Sequence, residues 1–504
     1  MEHADTAQLA AVCGAVGSVL VLLARGRILL LAGLLALAAA EAGLSYAIGL
    51  GPLDKLSGPA GIGAALVGLV AVGVAAAALA RWPTAVPVAV LVAAPFRPPL
   101  SFDSSSSLLV SISGDGRLGR LMPLYFVLAA AAAALGWRAL RGRELRAVPR
   151  AIALPAAAFL ALACASLLWA DDLEAGANLL LFFTLPFAAL LATVARADFP
   201  EAVPKAMAAA GIALASLFAV VGLWQAATRE LFFYAPNLTV SNANTDYFRV
   251  TSLFGDPSLY GRHVVLGMAV VLALLAARRW RAWPLVALLA LMWAGLFFSY
   301  SQSSFAALLA VTLALAVATG TRRVRLAVGL VALAAALAGA AYVTVQLIDG
   351  KSLNRITSDR TERVEDTLAV IEDEPITGVG IAGQPRASRR LADSARPTPA
   401  FVSHTTPLTV TAELGVAGLV LYVLLLAGGA WVIVQVRKRD EAVGLALGAA
   451  LLVLFVHALF YSGFLEDPLT WLVLGTAAGT YAWSLAHEAP PTAAERSRAR
   501  MAAT

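Results

Sequence analysis

Apolar runs of helix-spanning length, separated by short polar turns, fill most of the chain. A helix needs about 20 mainly apolar residues to cross the hydrocarbon layer. Such runs fall near 8–24, 28–50, 60–80, 83–97, 120–140, 150–170, 173–195 and 202–226. A second series follows near 258–277, 281–299, 302–319, 325–348, 407–436, 442–464 and 467–486. The 83–97 run is the weakest of these 15, being short and carrying Pro83, Pro87 and Pro95, which suits a broken or re-entrant segment. Two connections exceed a short turn: about 227–257 and about 349–406. Within the second, Val364, Leu368 and Ile371 recur at helical spacing and predict one apolar face on a short helix. Glu374-Pro375 ends that helix and Gly378-Val379-Gly380 follows. The pattern predicts an all-α polytopic membrane protein of about 12–15 transmembrane helices, with one long external loop holding short helices.

Composition agrees. Hydrophobic residues make up 60% and charged residues 13% of the 504, which excludes a soluble single-core enzyme, and disorder beyond a polar tail after His487. A net charge of +6 could suggest a nucleic-acid partner. The basic residues instead cluster in alternate connections, among them Arg25/Arg27, Arg138–Arg150, Arg278/Arg279/Arg281, Arg322/Arg323/Arg325 and Arg437/Lys438/Arg439. Under the positive-inside rule these turns are cytoplasmic, the N-terminus lies outside, and both long connections are external. The chain then divides into N-terminal helices (1–226), central helices with an external arginine segment (227–348), the long loop (349–406), C-terminal helices (407–486) and a cytoplasmic tail (487–504). Cys13 and Cys164 both lie in apolar runs, so no disulfide framework is expected. The acidic first residues do not read as a signal peptide.

No Walker sequence, zinc spacing or Gly-x-Ser-x-Gly elbow occurs. Candidate chemistry sits at the two ends of the long loop. Arg355, Arg360 and Arg363 open it and Ser403-His404-Thr405-Thr406 closes it. Both ends return to the membrane face, where a guanidinium cluster and an imidazole can meet. Arginine offers a planar fork for phosphate, and histidine can take a proton near neutral pH. Arg262 and His263, about one turn inside a membrane run, are candidates for a substrate cavity. Plainer roles stand beside these. His404 could anchor the next helix, Arg360 could pair with Glu362 or Asp366, and Arg249 could snorkel to the interface. His457 reads as a bundle contact, Glu413 as a packing residue, and Asp103 and the Asp171-Asp172-Glu174 cluster as polar loops.

Three stretches resemble the O-antigen ligase and polymerase family, membrane proteins that join lipid-linked glycans. Phe248-Arg249-Val250-Thr251-Ser252-Leu253-Phe254-Gly255-Asp256-Pro257 is similar to its arginine-led segment ending in Asn-Pro. Asp359-Arg360 through Glu374-Pro375-Ile376-Thr377-Gly378-Val379-Gly380 is similar to its Gly-Arg…Pro-Leu-x-Gly-Val-Gly loop. Ser403-His404-Thr405-Thr406-Pro407-Leu408, followed by Glu413-Leu414-Gly415-Val416-Ala417-Gly418-Leu419, resembles His-Asn-x-x-Leu…Glu-Leu-Gly-x-x-Gly-Leu. The match covers roughly 245–430. Thr405 stands for the family's Asn, Val364 for its Trp, Asp256-Pro257-Ser258 for Asn-Pro-Asn, and Ser301-Gln302-Ser303-Ser304 for a Ser-Arg.

The resemblance implies a C-type, metal-independent, inverting glycosyltransferase in the cytoplasmic (inner) membrane, with its active site on the external face and no cofactor. Its partners would be a polyprenyl-diphosphate-linked glycan, a glycan or glycolipid acceptor and the bilayer. Arg249, Arg360, Arg363 and Arg355 would hold the diphosphate, and His404 and Arg360 would act in catalysis. The competing reading is a flippase or other polysaccharide transporter. That class is expected to show related halves and charges within broken helices, whereas the polar residues here gather in one loop.

Overall fold

A computed structural model describes residues 3–49, 59–101, 111–112, 118–143, 145–233, 235–278, 280–348, 360–461 and 463–487. Among the described residues the regular structure is helical apart from a two-residue antiparallel ladder, Leu100–Ser101 with Ser111–Ile112. Each of the fifteen predicted runs coincides with helix. Eleven helices among the described residues are long and apolar enough to cross a membrane. Pro83–Ala93 and Ala282–Phe297 are shorter apolar helices. Two further helices, Arg322–Ile348 and Pro468–Ala486, cover the remaining runs.

Short polar residues start the helices where the apolar runs predict. The carboxylates of Asp172, Asp256, Asp440 and Asp467 and the hydroxyl of Ser301 each accept a first-turn backbone N–H. Proline follows directly in Pro257–Ala276 and Pro468–Ala486, where its missing N–H costs nothing. In Leu173–Ala195, Pro186 cannot donate to Phe182, and the helix widens to a π turn over Leu180–Thr184. The Tyr125 hydroxyl donates to the Phe182 carbonyl at 2.8 Å.

Two helix clusters form the interior. The first joins Ala4–Leu23, Arg150–Ala165, Leu173–Ala195, Thr406–Arg439 and Pro468–Ala486. The second joins Ala202–Thr228, Pro257–Ala276, Ala282–Phe297 and Gln302–Thr319. Glu441–Ala458 belongs to both, since Leu447, Leu451 and Leu454 face the first while Leu445, Ala449 and Val453 face the second. Lipid gives no hydrophobic push between helices, so close packing carries the association. At Gly17, for example, a Cβ would stand 2.8 Å from the backbone nitrogen of Leu37.

One helix is interrupted where the polar segment meets it. Thr406–Arg439 is broken at Gly415, whose φ of 64° and ψ of −168° are open essentially to glycine alone. The break frees backbone groups, and the Pro375–Gly380 turn takes them. Val379 and Gly380 N–H donate to the carbonyls of Ala412 and Glu413, both at 2.9 Å, and Val416 N–H donates to Pro375 O at 3.0 Å. The turn itself needs positive φ at Gly378 (64°) and Gly380 (81°). Asp171 N–H, in turn, donates to Val379 O at 2.9 Å. A Cβ at position 415 would run into the carbonyl of Ile376. Gly415→Ala is therefore expected to cost about 1–3 kcal/mol or more, read as a lower melting temperature in detergent and early proteolysis between 360 and 405.

Candidate functional site

The polar segment folds around one fully buried amide. Gln384 opens the short helix Gln384–Leu391. Its Nε2 faces Ser388 Oγ (2.8 Å), Phe401 O (3.0 Å) and Thr367 Oγ1 (3.3 Å), and its Oε1 accepts from Ser403 N–H at 3.1 Å. Gln384 thereby ties the helix Arg360–Asp373 to the residues just before His404. Sequence reasoning passed it over, because its one signal was an uncharged amide between a glycine-rich turn and a run of arginines.

The face expected from Val364, Leu368 and Ile371 is corrected in part: Ile371 packs, half-buried, against the same cluster as Val370, and Val364 is half-buried. The buried positions of Arg360–Asp373 are Thr367 and Val370, while Leu368 is 41% exposed. Val370 packs with Val379, Ala387 and Ala412, and the Thr367 hydroxyl serves Gln384. Docking on these neighbours leaves Leu368 outward, and Arg363, one turn before Thr367, points inward.

Arg363 meets His404. Its Nη1 lies 2.6 Å from the imidazole Nε2 and 3.3 Å from the carbonyl of Val402. A guanidinium only donates, so Nε2 supplies its lone pair and the proton of the neutral ring sits on Nδ1. Nδ1 is buried without a partner among the described residues. Burial first, then the positive charges of Arg363 and Arg360, hold the imidazole down at about 4. Arg360 is near enough to act on His404, and its guanidinium lies 5.9 Å from the Phe460 ring. Thr405 Oγ1 donates to Leu459 O at 3.4 Å, which seats the histidine against the same turn. The two loop ends thus converge as the sequence suggested, with Arg363 rather than Arg360 in direct contact.

Arg249 is held by a separate clamp. The Asn242 side chain bonds both its backbone N–H and its carbonyl at 3.0 Å, and Arg249 Nε donates to Ser299 O at 3.3 Å. A second buried amide, Gln225, fixes the next residues by accepting from Thr251 and Ser252 N–H. Arg355 and Asp103 lie outside the described residues.

The two membrane candidates part company. Arg262 is taken up by Asp467 at 2.7 Å, joining the heads of two helices, and His263 lines a cavity of about 460 Å³. His457 Nε2 sits between Ser303 Oγ and Ser258 O, both at 3.1 Å, a contact that holds helices together. Glu413 and Glu466 line a small cavity of about 70 Å³ beside the helix break. Asp171 pairs with Arg390 at 2.8 Å.

These features define a multi-pass membrane protein whose cationic groups and imidazole are gathered on one polar segment between helices. The family model described as O-antigen ligase matches residues 287–423, and so supports the O-antigen ligase/polymerase family. The matched span contains Arg360, Arg363, His404 and the Gly415 break, while Arg249 lies upstream of it. No curated protein matches the chain.

The electrostatics at His404 carry a sign that can be checked. Its folded value lies below the ordinary 6.5, so the unfolded chain binds the proton first and stability falls as pH drops from 6.5 towards 4. Removing the charge in Arg363→Gln should move the imidazole titration upward, towards 6.5. Histidine-selective NMR across pH 4–8 reads the shift, and an unmoved titration would refute the coupling.

Proposed function

We propose that the protein is a membrane glycosyltransferase that joins a polyprenyl-diphosphate-linked glycan to an acceptor sugar hydroxyl at the outer face of the cytoplasmic membrane. The observation that carries this reading is the Arg363–His404 contact, with Arg360 beside it, inside the span that matches the O-antigen ligase model. The outer-face assignment rests on the alternation of basic turns along the sequence.

The reaction follows from the groups present. The acceptor oxygen attacks the anomeric carbon from the side opposite the diphosphate, the bond to the diphosphate oxygen breaks, and the configuration inverts. The acceptor proton passes to His404, and the lipid diphosphate departs with the electron pair. Arg360 and Arg363 offset the charge gathering on the leaving oxygen, with Arg249 and Arg355 as further diphosphate ligands. Arg363 has a second part to play. While it occupies the Nε2 lone pair the imidazole cannot accept a proton, and a diphosphate that draws the guanidinium to itself frees the base. His404 needs no deprotonation near neutral pH, since it is held at about 4.

Purified full-length protein supplied with lipid-linked glycan and acceptor provides the test. His404→Ala and Arg360→Ala should each cut transfer on the order of 10²-fold or more, with the melting temperature retained, and a chelator should leave wild-type turnover unchanged. Full turnover in His404→Ala would remove the base, and loss with chelator would remove the metal-free mechanism. Product length on a gel then separates a single ligation from polymer growth.

A further inference from the structure

The cavity that His263 lines runs along the helix interface, is not lined by His404, Arg360 or Arg363, and has no part in the proposed transfer. It holds about 460 Å³ and lies between Ala202–Thr228, Pro257–Ala276, Glu441–Ala458 and Pro468–Ala486. Along Ala202–Thr228 its lining extends from Pro204 to Phe218, about 21 Å at 1.5 Å per residue. That exceeds half of the hydrocarbon layer, which is about 30 Å thick, and is a depth that takes one extended acyl chain. The lining in between is mainly apolar, with the hydroxyls of Thr476 and Thr480 among it.

The two ends differ. At one, Phe218 and Leu469 are 1% and 5% exposed, so the cavity is blind beneath His263. At the other, Lys205 has 65% of its side chain exposed and Trp280 is 57% exposed. Lys205, Arg439, Glu201, Asp440, Trp280 and Trp483 surround this open end, where the indoles suit the headgroup level. Lys205 pairs with Glu201 at 2.7 Å and Arg439 lies over the Tyr481 ring at 5.0 Å. Arg439 ends the Thr406–Arg439 helix, at whose opposite end His404 stands. The mouth therefore opens to the other leaflet from the proposed glycan site, on the side of the basic turns. A donor whose diphosphate sat at His404 would not thread its tail in from here.

We propose that this cavity binds a glycerophospholipid of the leaflet on the basic side, with one acyl chain inserted as far as His263 and its phosphate between Lys205 and Arg439. The match is of shape and of rim chemistry: Lys205 and Arg439 for the phosphate, beside the carboxylates of Glu201 and Asp440 and two indoles, with a mainly apolar lining below.

Gly211 offers a clean test, because it lines the bore and a Cβ there would meet nothing within 4 Å. Delipidated full-length protein in detergent is titrated with phosphatidylglycerol and followed by native mass spectrometry. Wild type should hold one lipid, Gly211→Phe should bind at least ten times more weakly with an unchanged melting temperature, and Lys205→Ala should weaken binding several-fold. Equal binding by Gly211→Phe would overturn the proposal. So would polyprenyl phosphate displacing phosphatidylglycerol at equal concentration, which would mark the cavity as a tail site for the donor.

Discussion

Backbone groups near a bilayer must find partners, and the Gly415 break leaves several without any inside their own helix. The Pro375–Gly380 turn supplies them, and everything about the polar segment follows from that docking. It pins the C-terminal end of Arg360–Asp373, sets the depth at which Gln384 is buried, and delivers His404 to Arg363. The glycines at 378, 380 and 415 are needed because the backbone turns through positive φ at all three and comes too close for a Cβ. The proposed chemistry belongs to side chains, but main-chain hydrogen bonds put those side chains in place.

The two glutamines show a shared solution to a recurrent problem. A loop that must hold a charged side chain still beside the membrane cannot rely on exposed ion pairs, which contribute little. Gln384 and Gln225 instead bury an amide that both donates and accepts, and each fixes the backbone next to a candidate residue, His404 in one case and Arg249 in the other. The exposed pairs of the segment, such as Arg390 with Asp171, join surfaces already held by these bonds.

Charge is sorted along the molecule in a way that serves both proposals. The proposed transfer places a cationic cradle next to an imidazole on one side of the helix bundle. The basic turns and indoles at the other side border the cavity that we assign to a phospholipid. The Thr406–Arg439 helix connects the two environments and leaves each with its own chemistry.

The sequence by itself determined the helices, because runs of apolar residues admit no other hydrogen-bonded structure in lipid. It also singled out the polar stretch to which the chemistry is assigned in our proposal, since Arg360, Arg363 and His404 bracket the longest interruption of that pattern. The spacing of Gly378-Val379-Gly380 and Glu413-Leu414-Gly415 was legible as a motif, though not as the two halves of one backbone joint. Only the tertiary structure decided that Arg363 is the arginine on His404. That choice depends on the rotation of Arg360–Asp373, which is set by Thr367 and Val370 meeting Gln384 and Val379, with Ile371 beside them and Leu368 left outward. Likewise Arg262 could be read as a cavity residue until Asp467, 205 positions away, was found to occupy it. Local periodicity encodes which groups prefer lipid, whereas the partner of a buried polar group is fixed by contacts between distant segments.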